Sequence, residues 1–227
     1  MILEFDGVEV TDGVRIVDQR KRLLLRHDPY YGHSGRARQR LAYNAEGDKD
    51  HLVHDRPAIL RAILNGYALP FRGEHGVVHW ARVLENGMRL AEATGADAEV
   101  VALFALFHDS RRVNEGHDPG HGLRGARFAQ TLRGSLVHLD DAQFELLFEA
   151  CRLHTSGLIE GDVTLQACWD ADRLDLGRVG ITPRPHRLCS DAAQDLLPWA
   201  HGRAVTEFEP AEHFTARGVG DGGTGAA

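Results

Sequence analysis

The chain has 227 residues, with 26 basic and 33 acidic side chains and a formal net charge of −7. This length fits one domain with a buried core, and the negative charge excludes a protein that binds a nucleic-acid duplex mainly through its phosphates. No apolar run approaches the length of a membrane span, and the first residues lack a secretory leader. The three cysteines form no CxxC pair. We therefore expect a cytoplasmic protein without a membrane partner, and the 14 histidines are a compositional hint of metal chemistry.

Residues 1–70 are predicted to form an N-terminal extension and loop. Apolar residues alternate loosely over residues 1–25, with Gly7 and Gly13 as turn signals, which predicts a small hairpin. An amphipathic helix over residues 21–26 is the alternative. Residues 27–55 are polar and lack a sustained period, which indicates a long loop or flap. A short helix is expected from Pro57 to about Leu64.

Helical spacing of apolar residues then predicts a bundle of core helices over residues 71–200. One helix follows Glu74 and ends at Gly95, and Asp97 is expected to cap the next. Asp118 is predicted as the N-cap of a further helix, with Pro119 at its first position. Asp140 or Asp141 is expected to cap another helix, which ends at Gly157. Two more helices are expected over residues 164–177 and around residues 190–200. Residues 201–227 form a C-terminal segment whose tail has the composition of a disordered end.

The stretch VVALFALFHDSRR, residues 100–112, is the most informative part of the chain. A helix that is apolar on all sides is buried, so its end should place His108 and Asp109 in the interior. Buried imidazole and carboxylate groups are costly unless they are hydrogen-bonded or bound to a cation. Three other His-Asp pairs, at residues 27, 54 and 117, lie in polar stretches and are read as loop residues.

Four further helices carry a histidine or aspartate on the side that should face the core. These residues are His79, His121, His154 and Asp172. His75, one turn before His79, is an alternative to it. A shared divalent cation explains all of these groups more simply than a separate buried partner for each. Imidazole and carboxylate without thiolate favour Fe, Mn, Zn, Co or Ni.

The order of these residues resembles the H…HD…D signature of the HD-domain metal-dependent phosphohydrolases, an all-α superfamily. The first histidine lies in HWARV, similar to the family's H-x-x-R-V helix, which selects His79 over His75. The last aspartate lies in DADRLD, where the family pattern selects Asp172 over Asp170. Histidines in HGLRGA and LHTSG resemble those of the dinuclear branch, which includes HD-type hydrolases of diadenosine tetraphosphate, with His117 as a competitor for His121. The resemblance spans about residues 73–183 and implies an all-α HD-domain bundle.

The resemblance also implies roles for individual residues. One metal would be held by His79, His108, Asp109 and Asp172, and a second by Asp109, His121 and His154. Asp109 would bridge the two cations, which would activate a water for attack on phosphorus. Arg112, Arg124 and Arg173 are candidates for binding substrate phosphate, and Asn114 for orienting substrate or water. The expected catalytic residues are Asp109, Arg112 and Arg173.

The predicted function is hydrolysis of a nucleotide or another small phosphoester. An HD-fold mixed-valence di-iron oxygenase shares the same ligand types and is the first alternative. A non-catalytic nucleotide-sensing HD module is the second. The expected partner is a small phosphorylated substrate, and a homodimer is left open.

Overall fold

The chain is described here from a computed structural model, over residues 54–206 and three short strands near the N-terminus. The strands are β1 (Ile2–Phe5), β2 (Val8–Thr11) and β3 (Val17–Asp18), which pair antiparallel in the order β1-β2-β3. Ile2 lies opposite Thr11, and Phe5 lies opposite Val8. The predicted hairpin is thus present. The alternative helix over residues 21–26, most of the predicted loop and the predicted tail lie outside the described residues.

The remaining elements are helices, and the predicted all-α bundle is confirmed. The α-helices are α1 (Arg56–Leu64), α2 (Val77–Thr94), α3 (Ala98–Phe107), α4 (His121–Leu132), α5 (Asp141–Leu153), α6 (Val163–Arg173) and α7 (Asp191–Val205). Two short 3-10 turns, Leu176–Val179 and Pro185–Arg187, connect α6 to α7. No helix in the described part of the chain is both long and apolar enough to cross a membrane.

Helix α3 is the centre of the bundle and contacts α1, α2, α4, α5 and α6. Each residue from Val100 to Phe107 is at most 1% exposed, as the apolar run predicts. Full burial of each large apolar side chain contributes about 1.5–3 kcal/mol, so packing rather than helix propensity fixes the position of α3. Helix α1 packs in the same core through Ile59, Leu60 and Ile63. The predicted division of the chain at residues 70 and 200 stays a prediction.

Local sequence signals fix where several helices begin and end. The Asp97 side chain accepts hydrogen bonds from the backbone N–H groups of Glu99 and Val100 and so caps α3. Asp140 and Gln143 form a capping box at the start of α5. Gly95 ends α2 in the left-handed conformation, at φ 78°. These three boundaries agree with the sequence analysis.

The predicted start of α4 is wrong. Gly120, at φ 87°, is the N-cap, and no side chain caps the helix. The Asp118 carboxylate instead accepts the backbone N–H of Val113 and pairs with Arg124 at 2.6 Å. These two contacts, with Val113 on the preceding turn and with Arg124, hold the carboxylate away from the end of the helix.

Two glycines allow α4 to approach its neighbours closely. A Cβ at Gly125 would lie 2.2 Å from the carbonyl oxygen of Phe107, and a Cβ at Gly122 would lie 2.1 Å from that of Cys151. Only residues without a side chain fit such contacts. The first turn of α4 is therefore held against the ends of α3 and α5, where three of the predicted ligands lie.

Candidate metal centre

The structure brings the six predicted metal ligands to one place in the bundle interior. His79 lies on α2, the pair His108-Asp109 directly follows α3, His121 begins α4, His154 follows α5, and Asp172 lies in the last turn of α6. His108 is 0% exposed and Asp109 is 2% exposed. The helix ends converge because each packs against α3, which delivers its own last residues to the same point.

The ligand atoms form two groups that share one carboxylate. In the first group, atoms of His79, His108 and Asp109 all lie within 4.8 Å of one another. In the second, atoms of Asp109, His121 and His154 do so. Asp172 flanks the first group, with Oδ1 at 3.4 Å from His79 Nε2. Asp109 is thus placed where one carboxylate can serve two cations.

All four imidazoles of the cluster are held in the same way, through their Nδ1 atoms. The acceptors are the Asp175 carboxylate for His79 at 2.7 Å, the Phe104 carbonyl for His108 at 3.1 Å, the Asp118 carbonyl for His121 at 2.6 Å and the Cys151 carbonyl for His154 at 2.7 Å. Because each acceptor is an oxygen, each Nδ1 carries the proton. In the neutral ring, this leaves the Nε2 lone pair free to bind a metal.

The free Nε2 atoms converge in two close pairs. The Nε2 atoms of His79 and His108 are 3.0 Å apart, and those of His121 and His154 are 2.9 Å apart. Lone pairs that face each other at this distance repel unless a cation or a proton lies between them. Asp109 Oδ1 is buried without a hydrogen bond and lies 3.1 Å from His121 Nε2. A carboxylate that has an orphaned oxygen and is surrounded by four imidazole Nε2 atoms fits a bound cation.

Burial and mutual charge set the protonation of the cluster. Burial is the largest influence on the pKa of His108 and lowers it to about 3, against the opposing effect of the Asp109 carboxylate. Burial raises the pKa of Asp109, but the rings of His108, His121 and His154 together hold this pKa well below its ordinary value. Burial lowers the pKa of His154, but the carboxylates of Asp109 and Asp172 outweigh burial and raise this pKa above its ordinary value. A neutral imidazole and an ionised carboxylate are the forms that bind metals, and His108 and Asp109 are held in these forms.

A buried ion pair that was not predicted from the sequence orients His79. Asp175 is 1% exposed; its Oδ2 accepts from His79 Nδ1, and its Oδ1 accepts from Arg82 Nε at 2.5 Å. Such carboxylate–histidine contacts fix the tautomer of a ligand and raise its basicity. Spacing is the signal that could have found the pair. Arg82 lies three residues after His79 and shares a face of α2 with it. Asp175 lies three residues after Asp172, just past the end of α6.

Replacement of Asp175 by asparagine should weaken metal binding about 10- to 100-fold, since outer partners of a ligand carry effects of this size. Metal affinity would be measured by titration of the metal-free protein, with circular dichroism as a check of folding. The matched control is Asp195→Asn on the exposed side of α7. Equal affinities for Asp175→Asn and the wild type would contradict this role.

The predicted substrate-binding side chains differ in burial and in distance from the metal ligands. Arg112 is buried at the centre, with Nη1 at 3.5 Å from Asp109 Oδ1 and 3.2 Å from His121 Nε2. Asn114 is exposed on the following turn, and its backbone carbonyl accepts a hydrogen bond from Arg112 Nε. Arg124 pairs with Asp118 and also donates to the Arg111 carbonyl.

The structure does not bring Arg173 to the cluster. Its guanidinium donates to the backbone carbonyl oxygens of Leu158 and Arg187, on the other side of α6. The physical reason is the helical geometry, because consecutive residues project about 100° apart. Asp172 and Arg173 therefore face different neighbours, and Arg173 is not carried further as a catalytic residue.

The competing histidines lie outside both ligand groups. His75 Nδ1 is hydrogen-bonded to Glu115 Oε2 at 2.6 Å, and these two residues form a separate, partly exposed group with Glu74. His117 is exposed. The structure thus places His79 and His121, rather than these neighbours, in the cluster.

Comparisons with known proteins bear on the fold. No family model matches the chain, and no curated protein matches it. Among solved structures, the chain is similar to the crystal structure of a predicted HD superfamily hydrolase from an uncultured Thermotogales bacterium. The two share 23% sequence identity with a TM-score of 0.52, over 65% of this chain and 86% of the other. The chain therefore shares the fold of that protein, an all-α bundle as the resemblance implied.

Proposed function

We propose that the chain is a metal-dependent hydrolase, and more specifically a phosphohydrolase that acts on a nucleotide or another small phosphoester. The observation that carries this proposal is the pair of ligand groups that share the buried carboxylate of Asp109. The description of the structurally similar Thermotogales protein as a predicted hydrolase supports the same reaction class.

The residues of the cluster fit two divalent cations. His79, His108, Asp109 and Asp172 would hold the first, and Asp109, His121 and His154 the second. Imidazole nitrogens and carboxylate oxygens without thiolates suit Fe, Mn, Zn, Co or Ni. When bound, such a pair of cations supplies Lewis acidity and a water of lowered pKa.

The protein's own contribution is positioning and charge. Arg112 is 7% exposed and lies beside Asp109, where its guanidinium can donate to the oxygens of a bound phosphoryl group. Its low exposure strengthens this interaction, because few water molecules screen it. The Asp175–Arg82 pair keeps the Nε2 atom of His79 directed at the cluster. Asn114 on the adjacent turn is proposed to contact the remainder of the substrate. In the reaction, the oxygen of a water molecule forms a new bond to phosphorus while the P–O bond to the leaving group breaks. The products are a phosphate and the released alcohol or phosphate, and the protons of the water pass to the leaving oxygen or to solvent.

The test is phosphate release from nucleotides, dinucleotides and cyclic nucleotides, with Mn, Co, Ni or Fe supplied in turn. We expect release that requires metal and proceeds equally well without oxygen. Oxygen uptake would be recorded in parallel. Failure to release phosphate from any of these substrates would overturn the proposal, and oxygen uptake that follows iron content would favour the oxygenase chemistry instead.

A further inference from the structure

A cavity of about 360 Å³ lies beside the metal centre and does not belong to it. Four arginines line this cavity, namely Arg111, Arg112, Arg124 and Arg127, together with Phe128 and Gly66. We refer to it as the arginine cavity. It lies between α4 and the turn that follows α3.

The arginine cavity has an excess of positive charge. No aspartate or glutamate is among its lining residues, and two carboxylates pair with lining arginines, Asp118 with Arg124 and Asp109 with Arg112. Among the described residues, Arg127 has no hydrogen-bond or ion-pair partner, and Arg124 Nη1 donates no hydrogen bond. Clustered guanidinium groups repel one another. An anion that enters the cavity offsets this repulsion and so lowers the free energy of the protein.

One wall of the arginine cavity is rigid before any ligand binds. Arg111 Nη1 donates to the carbonyl oxygens of Ile63 at 3.0 Å and Ser110 at 2.8 Å. Its guanidinium lies 3.4 Å above the ring of Phe128. Gly66 lies directly beside this guanidinium, since a Cβ there would contact Arg111 Nη2 at 3.4 Å. A charge that is already held in place loses little entropy on binding.

Arg112 separates the arginine cavity from the metal centre. It lines the cavity, and its Nη1 also lies 3.5 Å from Asp109 Oδ1. An anion in the cavity would therefore lie one side chain away from the metal ligands. Arginine clusters of this kind match the geometry and charge of phosphate oxygens.

We propose that the arginine cavity binds a phosphate group at a position distinct from the metal centre. Two sources have this chemistry. One is a second phosphate of the substrate, whose reacting phosphate lies at the metal centre; this source rests on the proposed function. The other is a free phosphate that acts as an effector.

Binding is tested by calorimetric titration of inorganic pyrophosphate into the full chain. Arg127→Ala should weaken binding about tenfold or more, because it removes charged hydrogen bonds without breaking a contact within the protein. Gly66→Leu, which leaves the charge unchanged, should weaken it by filling the space next to Arg111. The control is Arg184→Ala, an exposed arginine outside the cavity. Wild-type affinity in both cavity variants, or an equal loss in Arg184→Ala, would overturn the proposal.

Kinetics distinguish the two sources. If the phosphate belongs to the substrate, Arg127→Ala lowers kcat/KM for a nucleoside diphosphate about tenfold more than for p-nitrophenyl phosphate. If it is an effector, added inorganic phosphate changes kcat for p-nitrophenyl phosphate in the wild type more than in Arg127→Ala. The calorimetric result does not depend on turnover. The experiments can therefore contradict phosphate binding in the arginine cavity without contradicting the proposed hydrolase activity, and the reverse.

Discussion

Asp109→Asn is expected to lower metal-dependent phosphate release on the order of a thousandfold, comparable with the loss of a key electrostatic group in other enzymes. Asp109 is common to both ligand groups, so one substitution removes a charged ligand from each. The measurement is phosphate release on the best substrate, together with metal content per chain.

The matched control for this variant is Asp170→Asn. Asp170 is also buried, but its carboxylate accepts hydrogen bonds from the backbone N–H groups of Cys189 at 2.7 Å and Ser190 at 3.1 Å. This variant should lose stability while it keeps its metals. If Asp109→Asn kept both its metals and more than about a tenth of its activity, a shared carboxylate could not be the basis of the site.

Removal of metal should have the second largest effect, a fall in the midpoint of thermal unfolding. A ligand at 100 times its Kd contributes about 2.7 kcal/mol per site, so two sites contribute roughly 5 kcal/mol. For a chain of this size, each kcal/mol corresponds to about 2–4 °C, which gives a shift of roughly 10–20 °C. Without metal, the two Nε2 pairs and Asp109 Oδ1 lose their common partner.

The comparison is thermal unfolding with excess metal and with a chelator, in the wild type and in two variants. His117→Ala, which removes an exposed histidine outside the cluster, should keep the full shift. Asp109→Asn should lose most of it. An unchanged midpoint after chelation of the wild type would contradict the prediction.

The sequence was most informative where one physical effect dominates. The fully apolar stretch over residues 100–107 predicts a buried helix, and its end fixes the depth of His108 and Asp109. Caps such as Asp97 and Asp140 were predictable because they depend on residues three or fewer positions away. The other ligand candidates followed from periodicity, since a polar residue on an apolar stripe faces the core.

The remaining features depend on contacts between distant parts of the chain. Asp118 has the composition of a helix cap, but its partners Val113 and Arg124 hold it elsewhere. Arg173 is adjacent to Asp172 in sequence yet faces Leu158 and Arg187. The arginine cavity has no sequence signature of its own, because it combines residues of α4 with Gly66 and the turn after α3.

Several expectations from the sequence stay predictions. These are the cytoplasmic location, the absence of a nucleic-acid duplex as partner, a homodimer, and the nucleotide nature of the substrate. The substrate screen and a measurement of mass in solution address the last two.

The most direct test of a two-metal centre is metal content per chain, for the protein purified without a histidine tag and for His121→Ala. His121 belongs to one of the two ligand groups, whereas His79 and His108 belong to the other. We predict two metals in the wild type and one in His121→Ala. A single metal that the substitution leaves unchanged would contradict a two-metal centre and would return His121 and His154 to a structural or substrate-binding role.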